Sequence, residues 1–186
     1  MEWTPPDPPM STGSLVLRPF EHRDAGAVVE ACRDDEILRF TFMQEGTDEL
    51  GAVEWIDRSN EWWPHGMPRF AITDRTSNEV LGQIGIAVNA HHRSAEAYYW
   101  ILVERRGHGV ASAALGLVAD WAFANGVERL YLLVHTGNDA SNGLANRMGF
   151  AREGVLRSYE PFKGQRPDLV SWSLLPSDDR PWRQAN

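Results

Sequence analysis

An apolar run that breaks on two arginines and a Gly-His-Gly turn, then passes straight into an alanine-rich helical pattern, constrains this chain more than any other stretch. It extends from Tyr99 through Glu104-Arg105-Arg106-Gly107-His108-Gly109 to Val110 and Ala111. The order is strand, tight turn, helix. A helix start leaves about four backbone N–H groups without partners, and a Ser, Thr, Asp or Asn side chain usually covers one of them. Residues 105–109 offer no such oxygen. A bound phosphate would serve instead, helped by the helix dipole. Gly107 and Gly109 let backbone and ligand approach closely, while Arg105, Arg106 and His108 bring positive charge. The plain alternative is a tight strand-to-helix turn with two surface arginines.

Two common phosphate binders do not fit. A nucleoside-triphosphate loop needs Gly-Lys-Ser/Thr after its glycines, which is absent. A dinucleotide fingerprint needs a third small residue in place and an acidic residue about 20 positions on. Position 112 is Ser and position 129 is Arg.

The rest of the chain reads as mixed α+β, in the order β-α-α-β-β-β-α-β-α-β-β, with a βαβ unit over residues 95–135. Strands are expected over 14–20, 69–73, 79–89, 94–103, 129–135, 150–159 and 169–175. Helices are expected over 24–33, 47–63, 110–125 and 139–148, with 34–46 irregular. Gly82 and Gly85 weaken the strand pattern over 79–89 or mark a bulge. Residues 1–13 are proline-rich and expected to be a mobile lead-in. One domain is expected over 14–175, followed by a frayed polar tail over 176–186.

The chain has 186 residues and a net charge of −8. Such an acidic chain is a poor binder of nucleic acid. Cys32 is the one cysteine, so no internal disulfide forms. Prolines 5, 6, 8 and 9 interrupt any secretory apolar region, and no apolar run nears the ~20 residues of a membrane span. A cytoplasmic protein without membrane partners is the expectation, as monomer or homodimer. His91, His92 and His135 show no metal-ligand spacing, so no metal is expected.

Several motifs together carry a resemblance. Arg106-Gly107-His108-Gly109-Val110-Ala111 resembles the Arg/Gln-x-x-Gly-x-Gly/Ala loop of the GCN5-related N-acetyltransferases. Asn138-Asp139-Ala140-Ser141, followed by Arg147-Met148-Gly149-Phe150, is similar to the RimJ and RimL ribosomal-protein branch. Residues 95–100 resemble the strand before the loop, and Leu15-Val16-Leu17-Arg18-Pro19 the opening strand. The likeness spans roughly residues 14–175.

The resemblance implies a central, mostly antiparallel sheet whose strand before the loop is bulged and splayed from its neighbour. It implies acetyl-CoA as cosubstrate, with pyrophosphate on the backbone amides of Arg106, Gly107, His108, Gly109, Val110 and Ala111, and Ser112 nearby. Backbone groups of Ile101, Leu102 and Val103 would pair with pantetheine, though their side chains read as core. Asn138 would bond the pantetheine arm, or cap the following helix, or both. Asn146 would touch the outer cofactor, whereas Arg147 reads as solvated.

Amine acetylation needs a base, an oxyanion partner and a proton for the departing thiolate. Strand alternation puts Glu96, Tyr98 and Trp100 on one face, where aromatic surroundings would raise the Glu96 pKa into a useful range. Glu96 is therefore the candidate base, with Glu160 as the alternative. Many family members carry a tyrosine seven residues after the Asn138 equivalent, and this chain has Ala145 there. The branch instead has a serine three residues on, and Ser141 is the candidate partner of the sulfur, against a plain role in the helix's first turn.

The resemblance implies an acceptor pocket shaped by the first two helices and the last strands; Trp55, Trp62 and Trp63 lie on or after the second helix with Glu54, Asp57 and Glu61, and Phe40 and Phe42 precede it. Trp55 and Trp62 also suit one core-facing helical stripe. The expectation is direct acetyl transfer to a primary amine, either a protein N-terminus or a small molecule. An acyl-CoA sensor or carrier without turnover, and an unrelated nucleotide-binding module, are the rivals.

Overall fold

The computed structural model describes residues 3–184. One sheet of eight strands runs through the molecule in the order β1-β2-β3-β4-β5-β6-β8-β7. The strands are β1 (Met10–Thr12), β2 (Leu15–Arg18), β3 (Arg69–Asp74), β4 (Val80–Asn89), β5 (Ser94–Ile101), β6 (Arg129–His135), β7 (Ala151–Leu156) and β8 (Leu169–Leu174). All neighbours are antiparallel except β5 and β6. The helices are α1 (Ala25–Ala31), α2 (Asp35–Phe40), α3 (Glu49–Glu61), α4 (Val110–Ala124), α5 (Asp139–Arg147) and α6 (Pro181–Gln184).

The parallel pair is short. It joins Ser94, Ala95 and Glu96 to Arg129, Leu130 and Tyr131 and then stops, although both strands run on to Ile101 and His135. The sheet therefore opens into a V toward the C-terminal ends of β5 and β6, the splay implied by the resemblance. The implied bulge in β5 is not there. Its register with β4 is unbroken from Asn89↔Ser94 to Gly82↔Ile101. The irregularity falls instead between β3 and β4, where Ile72 pairs with Gly82 but Thr73 with Val80. Gly82 sits there because the backbone carbonyl of Trp100 lies too close for any Cβ.

Each face of the sheet carries its own core. α4 packs on one face, where Ala114, Ala119 and Ala122 are small enough to bring it close to Phe70, Ile72, Ile84 and Ile86. On the other face α1, α2 and α3 cover Ala71, Trp100 and Leu102 with Val28, Ile37 and Ile56. Cys32 is buried in this second core.

The structure adds β1, α2 and α6 to the expected order. The six residues of α2 are too few to show a helical period, yet Asp34 caps them by accepting from the Ile37 N–H at 3.0 Å. Within the lead-in expected to be mobile, Trp3 is buried and residues 10–12 form β1, while most of residues 4–9 are exposed. Trp3 is 3% exposed, stands 4.9 Å from the Trp121 ring, and β1 pairs with β2. The tail likewise docks. Trp182 lies against Gly116 on α4 and donates to Asp120 at 3.1 Å. One tryptophan near each end thus outweighs the polar composition around it. Residues 1–2 and 185–186 of those two segments lie outside the described residues. Among the described residues no helix is long and apolar enough to cross a membrane.

Candidate functional site

Two cavities of about 420 Å³ each meet in the splay between β5 and β6. Phe40, Thr41, Tyr99, Trp100, Asn138 and Ser141 line both. One cavity ends at the loop before α4. The other ends among aromatic rings on the α1–α3 side.

At the loop, Gly107 and Gly109 adopt φ of 76° and 77°, the left-handed region that favours glycine. Gly109 is the N-cap of α4, and no side chain caps the helix. The first helical bond runs from Ala113 N–H to Gly109 C=O, so the N–H groups of Val110, Ala111 and Ser112 have no intrahelical acceptor. These three residues, both glycines, Arg105 and Arg106 line the cavity, and the space beside both glycines is open. A pyrophosphate fits this cradle.

Other predicted contacts change. The Arg106 side chain bonds Asp34 at 2.7 Å and the Ile101 carbonyl at 3.0 Å, and its N–H donates to Val103. Arg106 is therefore a brace that ties the loop to α2, rather than a free cation and free amide. Its charge and bonds, working against the effect of burial, hold the Asp34 carboxyl below its ordinary pKa. Arg105 pairs with Glu79 at 3.3 Å. His108 and Asn146 are exposed and outside both cavities. Arg147 is exposed, as expected, and also lines the cofactor-side cavity, with no ion pair among the described residues.

The strand edge also shifts. The Leu102 N–H donates to Leu81 on β4, while the Leu102 and Val103 carbonyls accept from Arg105 and Arg106. Val103 lies in a 3-10 turn, 57% exposed, instead of in core. Antiparallel pairing alternates, so with Leu102 turned toward β4 it is the Tyr99 and Ile101 backbone groups that face the gap left by β6. Of the predicted trio, only Ile101 is brought to the gap.

At the junction, the Tyr99 hydroxyl donates to Ser141 Oγ at 3.0 Å. Asn138 caps α5 by accepting from the Ser141 N–H at 3.1 Å, so its capping role and its place in the cleft coexist. Ala145 is fully buried, one turn further along α5. The phenol found beside Ser141 belongs to β5. Burial pushes the Tyr99 hydroxyl up to about 12, so it remains a proton-bearing donor. Sequence reasoning missed Tyr99, because no local signal joins residues 42 apart.

In the second cavity Glu96, Tyr98 and Trp100 share one face as alternation requires. Burial, with the nearby Glu160 carboxylate, raises the Glu96 pKa to about 7. Glu160 lines the same cavity from the β7–β8 loop. Both predicted carboxylates are therefore brought together. Burial holds His135 below its ordinary value. Its ring stands edge-on between Phe40 at 5.5 Å and Phe162 at 4.7 Å, forming the cavity's aromatic wall. Phe42 and Trp55 also line it. Trp62 does not. α3 stops at Glu61, leaving Trp62 47% exposed, and Trp63 turns into the core on the α4 side. Glu54, Asp57 and Glu61 lie outside the cavity, and Asp57 bonds His22 at 2.6 Å.

Comparison with known proteins agrees with this geometry. Residues 14–151 match the family described as acetyltransferase (GNAT) domain. An uncharacterized N-acetyltransferase, YoaA, of Bacillus subtilis (strain 168) is 32% identical over 171 residues, covering 90% of this chain and 97% of its own. The spermidine N(1)-acetyltransferase of Escherichia coli (strain K12) is 26% identical over 167 residues, covering 89% and 88%. The structure of Mycobacterium smegmatis RimJ in complex with CoA-disulfide superposes with a TM-score of 0.77 at 26% identity, covering 87% of this chain and 82% of that one.

Proposed function

Because the chain belongs to the GNAT acetyltransferase family, and is thus an N-acetyltransferase that uses acetyl-CoA, we propose that it transfers the acetyl group directly to a primary amine held beside Glu96. The acceptor is a protein N-terminus or a small-molecule amine. The observation that carries this reading is the pair of cavities joined through the splay at Tyr99 and Ser141. One has an anion cradle at its end, the other a carboxylate of raised pKa.

Acetyl-CoA supplies the activated acyl group. The N–H groups at the start of α4 hold its pyrophosphate, and Arg147 adds charge on the same side. The Tyr99 and Ile101 backbone edge bonds the pantetheine arm as a strand partner would. Glu96 takes the proton that the amine loses as the N–C bond forms. With a pKa of about 7, it is half ionised near neutrality and still basic enough to act. Ser141 donates toward the sulfur as the C–S bond breaks. Its Oγ already accepts from Tyr99, so its own hydrogen is free for that purpose.

The test is thiol release from acetyl-CoA across a panel of amines, with the acetylated product identified by mass. An acetylated amine with stoichiometric thiol supports the reading. Tight CoA binding with no acetylated product from any amine overturns it and favours a sensor.

A further inference from the structure

Among the described residues, one arginine of the acceptor cavity has no carboxylate partner. Arg69 lines the cavity from β3. Its Nε donates to the Tyr98 hydroxyl at 3.2 Å and its Nη1 to Ser59 Oγ at 3.2 Å, both neutral oxygens. It lies 5.4 Å from the Trp55 ring and 5.7 Å from the Tyr98 ring. No carboxylate pairs with it among the described residues, whereas Arg18, Arg106 and Arg129 each have one. The arrangement is built rather than incidental. Gly85 stands between Arg69 and Tyr98 across the sheet, and a Cβ there would come within 2.8 Å of the Tyr98 ring. Its absence lets that ring lie over β4 and hold the guanidinium.

A guanidinium has five N–H donors in a planar fork, and these two bonds leave Nη2 and one hydrogen of Nη1. That end of the fork matches a carboxylate. The negative side chains line the cavity from β5 and from the β7–β8 loop. Glu96 lies one strand repeat, ~7 Å, before Tyr98 on the same face. Glu160 is close enough to Glu96 to raise its pKa. The cavity is thus polarised, with carboxylates at the transfer end and a cation on the β3 side.

We propose that the acceptor is a primary amine that carries a carboxylate several bonds away, with the amine at Glu96 and the carboxylate on the Arg69 fork. A polyamine fits this polarity badly, because its second ammonium would meet Arg69. The proposal rests on the transferase reading for the amine's fate, but not for the anion site.

The experiment compares acceptors of equal length that differ only at the far end: 5-aminopentanoate, its primary amide, pentylamine and 1,5-diaminopentane. The expected kcat/KM is highest for the carboxylate, about tenfold or more over the amide and lowest for the diamine. Arg69→Gln is expected to collapse the carboxylate-to-amide ratio to near one, while Arg69→Lys retains part of it. A wild-type preference for the diamine or for pentylamine, or a ratio unchanged in Arg69→Gln, overturns the proposal. Calorimetric binding of 5-aminopentanoate to the CoA-loaded protein reads the anion site independently of turnover. Binding that weakens about tenfold or more in Arg69→Gln supports the site even if no amine is acetylated, whereas equal binding by both proteins overturns it.

Discussion

The hydroxyl of Tyr99, near the C-terminal end of β5, donates to Ser141 Oγ on α5 at 3.0 Å, and this bond stands where the two cavities meet. It links β5 to α5, the helix that follows β6. A hydroxyl that accepts a hydrogen bond still has one hydrogen to give, and Tyr99 constrains where that hydrogen points.

Tyr99→Phe is accordingly expected to lower kcat about tenfold with little change in KM for acetyl-CoA, the loss of one oriented hydrogen bond in a buried site. Steady-state kinetics at saturating amine checks this. An unchanged kcat would reduce the pair to a structural contact.

Ser141→Ala removes the donor itself. It is expected to slow turnover at least as much as Tyr99→Phe, and the double variant to be no slower than Ser141→Ala, since both act through one hydroxyl. Additive losses would show that the two residues act separately.

Glu96 gives a pH prediction with two signs. As base it acts when ionised, so kcat/KM is expected to rise with pH through about 7, and that limb is expected to vanish in Glu96→Gln. For stability the order reverses. The folded pKa lies above the unfolded value near 4.5, so the group's contribution is full below that value and is lost as pH rises through about 7. Glu96→Gln is therefore expected to turn over more slowly yet be more stable than the parent at pH 8, by up to about 2–3 kcal/mol. Thermal unfolding at pH 5 and pH 8 tests it.

Gly109→Val places a β-branched residue at φ 77°. No neighbour lies within 4 Å to clash with it, so the folding cost is backbone strain of about 1–3 kcal/mol. The larger effect expected is on the cofactor, with CoA affinity falling at least about tenfold as the α4 N–H groups are displaced from their cradle. Unchanged affinity by calorimetry would place the pyrophosphate elsewhere.

Asp34→Ala removes both the cap of α2 and the partner of Arg106. A loss of about 1–2 kcal/mol is expected, together with weaker CoA binding as the loop loosens. Because the folded Asp34 pKa is lowered, its contribution is present above the ordinary carboxylate value and lost as pH falls through the lowered one. The stability gap between parent and variant is expected to close in acid.

The sheet-helix alternation, the uncapped start of α4 and the common face of Glu96, Tyr98 and Trp100 were all legible in the sequence, because each is a matter of local spacing. α2 was not, since six residues carry no period and Asp34 is a cap only once the chain turns there. Nor were the packed ends, where the burial of Trp3 and Trp182 depends on the surface of α4. Val103 was misread because the apolar run continues one turn past the point where β5 stops pairing.

By itself the sequence determined the uncapped, glycine-flanked start of α4, since glycine φ freedom and a missing cap are properties of consecutive residues. It also marked Glu96 and Ser141 as the groups to watch. Only the tertiary structure decided that Arg106 braces the loop against Asp34, that the Tyr99 hydroxyl meets Ser141, and that Arg69 lines the second cavity with no carboxylate partner among the described residues. Those facts depend on which side chains meet across Asp34, Ser141 and Gly85. Such meetings are set by the parting of β5 from β6 and by the register of β3, β4 and β5, which no local spacing encodes.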